Sequence, residues 1–259
     1  MKLLRTLALA SGVAMLAGLA GADEIKVGVT VGEHAEIMEK VAEVARDKGL
    51  RIDIVEFTDY VVPNQALNDG DLDANSFQHQ PYLDNQIRDR GYDLAVIGKT
   101  ITTPMGVYST RIKSLDALPD GGSVAIPNDP TNGGRALLLL QDKGLIRLAD
   151  GTGLTPSPLD VTDNPRKLRF LELDAAQLPR ALADADAAVI NTNYALDAGL
   201  NPADAIAREK AASPYANVIV VRNADREAPW AAALVEAYHD PRIRAFIEER
   251  YHGAVIPAW

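Results

Sequence analysis

Strand-like and helix-like segments alternate along this chain from Ile25 onward, and that rhythm limits the architectures open to it. Ile25-Lys26-Val27-Gly28-Val29 alternates with the period of two of a strand. Glu33 to Lys48 then places Ile37, Met38, Val41, Val44 and Ala45 on one helical face, and Gly49 stands where a C-terminal cap belongs. Arg51 to Phe57 reads as the next strand. A helix from about Asn64, a strand over Asp73 to Phe77, a helix near Pro81 to Arg90 and a short strand over Leu94 to Ile97 follow. Such β-α-β-α succession implies a mostly parallel sheet with helices on both faces.

A second unit begins near Met105. Ser123 to Ile126 is its first clear strand, and Thr131 to Lys143 is a helix closed by Gly144. Leu168 to Leu173, Ala175 to Leu182 and Ala187 to Ile190 repeat the β-α-β pattern. The apolar run Asn217-Val218-Ile219-Val220-Val221 reads as one more buried strand, and helices over Ala228 to Tyr238 and Pro241 to Tyr251 close the chain. The stretch Asp150 to Pro165, rich in Gly, Thr, Pro and Asp, is expected to run over the surface. The pattern fits an α/β protein of two lobes: residues 23–103 plus 219–259, and residues 104–218, with crossings near Thr103 and Asn217. One continuous doubly wound domain satisfies the same periodicity. Either way, a ligand is expected at the carboxyl ends of strands or between lobes.

The N-terminus has another character. Lys2 and Arg5 precede an uncharged apolar run from Thr6 to Ala20, and Ala20-Gly21-Ala22 supplies small residues for a signal peptidase. Residues 1–22 therefore read as a secretory signal cleaved after Ala22. The run is shorter than the ~20 residues a membrane span needs. Removing this segment takes the formal net charge from −10 to −12, because it carries two cations and no acid. So acidic a chain is a poor partner for nucleic acid or anionic membrane surfaces. With no cysteine anywhere, disulfides, thiolate metal sites and cysteine nucleophiles are excluded.

Enzyme signatures are missing. The chain has no Gly-x-Gly-x-x-Gly after a strand, no phosphate-binding loop ending in Lys-Ser/Thr and no Gly-x-Ser-x-Gly elbow. His34, His79, His239 and His252 are not spaced as metal ligands on a helix. No cofactor or metal is expected.

Three segments carry candidate binding groups. In Ser123-Val-Ala-Ile-Pro-Asn-Asp-Pro-Thr-Asn-Gly-Gly-Arg, a strand turns into a helix whose first turn is expected to hold Gly133, Gly134 and Arg135. Glycine weakens a helix and a cation there opposes its dipole. Both make sense if free backbone N–H groups and Arg135 hold an anion such as a carboxylate; a solvated arginine near a fraying end is the alternative. In Asp73-Ala-Asn-Ser-Phe-Gln-His, strand alternation puts Phe77 and His79 on one face and Gln78 on the other. With Tyr60 they could wall an apolar pocket, although core packing for Phe77 and a backbone-bonded neutral His79 are the plainer readings. Ala188-Val-Ile-Asn-Thr-Asn ends a buried strand with Asn191 and Asn193, whose amides serve an ammonium or a carboxylate equally and can alternatively cap a helix. Asn217, near the second crossing, is similar.

Pro63-Asn-Gln-Ala-Leu with Asp73-Ala-Asn-Ser-Phe-Gln-His, Ile126-Pro-Asn-Asp-Pro-Thr-Asn with Arg135, Ile190-Asn-Thr-Asn-Tyr-Ala, and Ser213-Pro-Tyr-Ala-Asn-Val-Ile-Val occur here in this order. Together they resemble the methionine-binding lipoprotein family, the NlpA-type substrate-binding components of methionine ABC importers, over essentially the whole chain after the signal. The resemblance implies a type II periplasmic-binding-protein fold, each lobe a mixed sheet flanked by helices with the ligand in the cleft. It further implies a monomer that passes methionine, of either hand, to importer permease subunits. By resemblance, Tyr60, Phe77 and His79 surround the methionine side chain, Arg135 pairs with its carboxylate, and Asn193 and Asn217 hold its amino and carboxylate ends. Asn191 is the weaker candidate of its pair. Members of that family usually carry a lipidated cysteine after the signal; lacking one, this chain is expected to be a soluble periplasmic protein. Another small amino acid as ligand, or an enzyme on the same scaffold, are the rival readings.

Overall fold

The computed structural model describes residues 23–210 and 214–259. The expected signal, residues 1–22, and Ser213 lie outside the described residues. The first lobe runs β1 (Asp23–Thr30), α1 (Glu33–Asp47), β2 (Leu50–Phe57), α2 (Val62–Asp69), β3 (Ala74–His79), α3 (Gln80–Arg90), β4 (Leu94–Lys99) and β5 (Ile101–Thr102). The second holds β6 (Gly106–Tyr108), β7 (Ser123–Pro127), α4 (Pro130–Asp142), β8 (Arg147–Leu148), β9 (Val161–Asp163), β10 (Arg169–Leu173), α5 (Leu178–Ala181), β11 (Ala187–Ile190), α6 (Thr192–Asp197) and β12 (Ala207–Arg208). The chain returns to the first lobe as β13 (Asn217–Arg222) and ends with α7 (Pro229–Tyr238), α8 (Pro241–Tyr251) and β14 (Ile256–Pro257).

The two five-stranded sheets are built alike, in the orders β2-β1-β3-β13-β4 and β10-β7-β11-β6-β12. In each, three strands are parallel and two further ladders are antiparallel. Since β13 and β6 are antiparallel to both of their neighbours, four of the five strands in each sheet point the same way, and the sheets are mixed but mostly parallel, as expected. The mixing comes from the crossing strands: β13, entering from the second lobe, inserts between β3 and β4, and β6, entering from the first, inserts between β11 and β12. β13 pairs with β3 from its first residue, Asn217 opposite His79.

Apolar residues cover both faces of each sheet. Ile37, Met38, Val41 and Ala45 of α1 pack with α7 and α8 on one side of the first sheet, while Leu67, Leu72 and Leu83 cover the other. Leu137 and Leu140 of α4 fill the second lobe's core from one face, and Leu178, Leu182 and Tyr194 from the other. The Asp150 to Pro165 stretch is only partly a surface excursion. It returns through β9, antiparallel to β8, and its Leu154-Thr155-Pro156 segment packs against Gly134.

The motif Pro63-Asn-Gln-Ala-Leu with Asp73-Ala-Asn-Ser-Phe-Gln-His owes part of its pattern to packing. Asn64 and Gln78 exchange two amide hydrogen bonds of 2.8 and 2.6 Å, and Asn75 donates to Asn64 at 2.9 Å. This buried amide ring fastens α2 to β3 and turns the Gln78 amide away from the face that Phe77 and His79 share.

Candidate functional site

Between the lobes lies a cavity of about 320 Å³ walled by His34, Tyr60, Phe77, Gln78, His79, Tyr82, Thr103, Asn132, Arg135, Asn191, Asn193 and Asn217. All six residues singled out from sequence are there: Tyr60, Phe77, His79, Arg135, Asn193 and Asn217. They come from the loop after β2 (Tyr60), from β3 (Phe77, His79), from the start of β13 (Asn217), and from the helices α4 (Arg135) and α6 (Asn193).

One wall is aromatic. The rings of Tyr60, Phe77 and Tyr82 form a triangle with centroids 6.1 Å apart on every side. Tyr194 lies 5.0 Å from Tyr60 on the second-lobe side. A polar chain adjoins this wall through His79, whose ring lies 6.2 Å from that of Tyr82. His79 Nδ1 accepts from the Tyr82 backbone N–H at 3.1 Å, capping α3. Nδ1 therefore carries no proton, and Nε2–H donates to Asn132 Oδ1 at 3.2 Å. Burial, reinforced by the nearby Arg135 charge, lowers the His79 pKa to about 3, against the pull of its bond to Asn132; the ring is a neutral donor at any ordinary pH.

Asn191 Nδ2 donates to the same Asn132 Oδ1 at 2.8 Å, while Asn191 Oδ1 is buried without a partner. An unsatisfied carbonyl oxygen on a cavity wall is a natural acceptor for an ammonium group. Asn191 occupies the N-cap position of α6 but its side chain makes no capping bond. Asn191 and Asn193 both line the cavity.

Arg135 is 2 % exposed. Its Nε and Nη2 donate to the two oxygens of Glu209 at 2.8 and 2.5 Å, Nη2 also donates to Thr103 O at 2.8 Å, and Tyr215 stacks 4.3 Å from its Cζ. Nη1 is the nitrogen these bonds leave over.

Arg135 does not lie in the first turn of α4, where the sequence pattern places it. Helix α4 begins at Pro130, so Arg135 sits in its second turn, and the first-turn N–H groups are not free. Asp129 accepts from the Thr131 and Asn132 N–H groups at 3.2 and 2.9 Å. The glycines serve packing instead: a Cβ on Gly133 would lie 2.7 Å from Pro127 O, and one on Gly134 would lie 2.7 Å from Leu154 O.

Among the described residues, side-chain hydrogen bonds join the lobes over the cavity. Besides His79 to Asn132, Tyr60 Oη donates to Asn193 Oδ1 at 2.6 Å, Tyr194 Oη to Thr58 O at 3.2 Å and Asn193 Nδ2 to Val31 O at 3.5 Å. Gly32, at φ +90°, lets the β1–α1 turn touch the Asn193 backbone; a Cβ there would lie 2.6 Å from Asn193 O. That turn delivers His34 to the cavity, a residue the sequence motifs did not point to. Burial lowers the His34 pKa to about 4. Its neighbour Glu33, at the start of α1, is buried with both oxygens unpartnered, and desolvation raises its pKa to about 8.

The whole chain after residue 24 matches one family model, the NlpA lipoprotein, over residues 25–259. A D-methionine-binding lipoprotein of Escherichia coli strain K12 is 50% identical over 92% of this chain and 89% of its own length. Among solved structures, a nutrient-binding protein of Burkholderia cenocepacia bound to methionine is 52% identical, covering 91% of this chain and 100% of that one with a TM-score of 0.89. A periplasmic substrate-binding protein of an ABC transporter from Coxiella burnetii is 47% identical over 90% of this chain and 100% of that one, with a TM-score of 0.87. By the extent of these matches, the chain belongs to the NlpA lipoprotein family.

Proposed function

We propose that this protein is an extracytoplasmic binding protein, not an enzyme, which encloses methionine between its lobes and presents it to the permease of an ABC importer. The observation that carries the reading is the division of one small cavity into an aromatic wall and a polar wall. A methionine zwitterion has the same division, a thioether chain at one end and two opposite charges at the other.

In this reading the methionine side chain lies against Tyr60, Phe77 and the edge of His79, where a polarizable sulfur gains from aromatic contact. Arg135 Nη1 takes the carboxylate, Asn193 meets the ligand through Nδ2 and Asn217 through its amide, the two between them holding the carboxylate and amino ends, with Asn191 Oδ1 as a further acceptor for the ammonium. Lobes of residues 23–103 with 217–259, and 104–216, rock about their two crossings as the ligand enters. Since one chain supplies both walls, the protein works as a monomer. Lys2, Arg5, the apolar run to Ala20 and Ala20-Gly21-Ala22 support export with cleavage after Ala22. With no cysteine to carry a lipid, the product is soluble in the periplasm. Among the described residues no helix is long and apolar enough to cross a membrane.

Thermal-shift measurements with free amino acids, followed by calorimetry, test the reading. Methionine at a hundredfold excess over its dissociation constant should add ~2.7 kcal/mol of stability. Arg135→Ala should cost ~2–5 kcal/mol of binding by leaving a carboxylate unpaired. No shift with either enantiomer of methionine would defeat the assignment.

A further inference from the structure

Glu209 lies outside the cavity walls but is bonded to Arg135, which is on them. It belongs to the second crossing, where its backbone N–H bonds to Met105 O at 3.0 Å and Met105 N–H bonds to its Oε2 at 2.9 Å. Its carboxylate is only 10 % exposed and meets the 2 % exposed Arg135 through two charge-assisted bonds. Arg135 is the one side chain on the cavity wall with a permanent charge; the wall histidines, His34 and His79, are held neutral by burial. A buried cation with a buried carboxylate at bonding distance gives the cavity a net charge near zero.

Resting on the methionine reading above, we propose that Glu209 is the residue that sets the charge selectivity of the site, making it accept net-neutral zwitterionic amino acids and refuse their anionic analogues. An amino acid brings a carboxylate to Arg135 Nη1 and an ammonium to neutral amide oxygens such as Asn191 Oδ1, so the filled site stays neutral. An analogue without the ammonium would leave one uncompensated negative charge facing Glu209 in a poorly solvated space. Glu209 also aims the guanidinium: with Nε and Nη2 occupied, only Nη1 is available to the ligand.

Calorimetric titration of the native protein and of Glu209→Gln with methionine and with 4-(methylthio)butanoate, which lacks only the ammonium, separates charge selection from mere support of the fold. The native protein should prefer methionine. In Glu209→Gln that preference should shrink by at least about tenfold, because the ammonium loses its attraction to a nearby charge. Glu209→Asp, which keeps the charge and alters the reach, should bind methionine more weakly but keep the native preference to within about threefold. Equal weakening of both ligands in the Gln variant, or loss of the preference in the Asp variant, overturns the inference. No binding of either compound to the native protein overturns the methionine assignment along with it, whereas native binding of methionine with an unchanged preference in Glu209→Gln overturns this inference alone.

Discussion

Replacing Tyr60 by Phe removes one oxygen and keeps the ring, so it isolates the hydroxyl that joins the two lobes. In the closed molecule that hydroxyl donates to Asn193 Oδ1 at 2.6 Å, and the ring contacts with Phe77, Tyr82 and Tyr194 need no oxygen. Burial holds the Tyr60 pKa well above that of a free phenol, so the hydroxyl remains a donor throughout the accessible pH range. Asn193 is 3 % exposed, and the closed cleft offers its Oδ1 no other donor among the bonds of the described residues. Deleting the donor therefore strands a buried acceptor, at ~1–3 kcal/mol. When the lobes part, water reaches both groups and the variant loses little. Nearly all the cost falls on the closed state that the ligand stabilises, and by linkage it appears as weaker binding. Methionine should bind Tyr60→Phe about 5- to 150-fold more weakly. Calorimetry reads the affinity, and melting of the ligand-free variant checks that the lobes themselves are intact. A dissociation constant within about twofold of native, outside the range expected from a stranded acceptor, would refute the assignment of this bond to closure.

The remaining predictions concern burial, pH and packing. Glu33 has a folded pKa raised to about 8 from 4.5, so the stability tied to its protonated form is fully present below 4.5 and is lost as pH rises toward 8, at up to ~1.4 kcal/mol per unit. Glu33→Gln should match the native protein in denaturant unfolding below that window and exceed it above; equal slopes across the window would show that Glu33 reaches water. His34 has the opposite sign: its folded pKa is lowered from 6.5 to about 4, so its contribution is present above 6.5 and is lost as pH falls toward 4. His34→Asn should flatten that part of the acid limb, and an unaltered limb would assign it to other groups. Gly134→Ala should destabilise the second lobe by ~1–3 kcal/mol, because the new methyl would meet Leu154 O at 2.7 Å and Thr155 Cα at 2.8 Å; an unchanged melting temperature would mean that the 154–156 segment yields without cost.

Local pattern and final position part company at identifiable places. Val218 to Val221 and the α1 face were legible because burial on a strand or helix follows a period of a few residues. The wall residues Phe77, His79 and Asn193 were legible because strands of an open α/β sheet end at the cleft. The short strands β6 and β12 were not: at three and two residues they are too short to show a period, and their place is set by pairing with distant neighbours. His34 was missed because nothing local marks a residue as facing a cavity when the opposing wall, Asn193, is contributed by the other lobe. Gly133 and Gly134 were visible but misassigned, because a glycine signals close approach without saying what approaches. Glu209 is the sharpest case. In Arg208-Glu209-Lys210 it sits between two cations, which on local evidence marks a solvated charge run, and its partner is 74 positions away in sequence. Ion pairs buried at a hinge are invisible to periodicity because they belong to two segments that meet only after both lobes have formed. The residues of the cavity wall were therefore recoverable largely from strand ends, whereas the residue proposed to balance their charge required the assembled crossing.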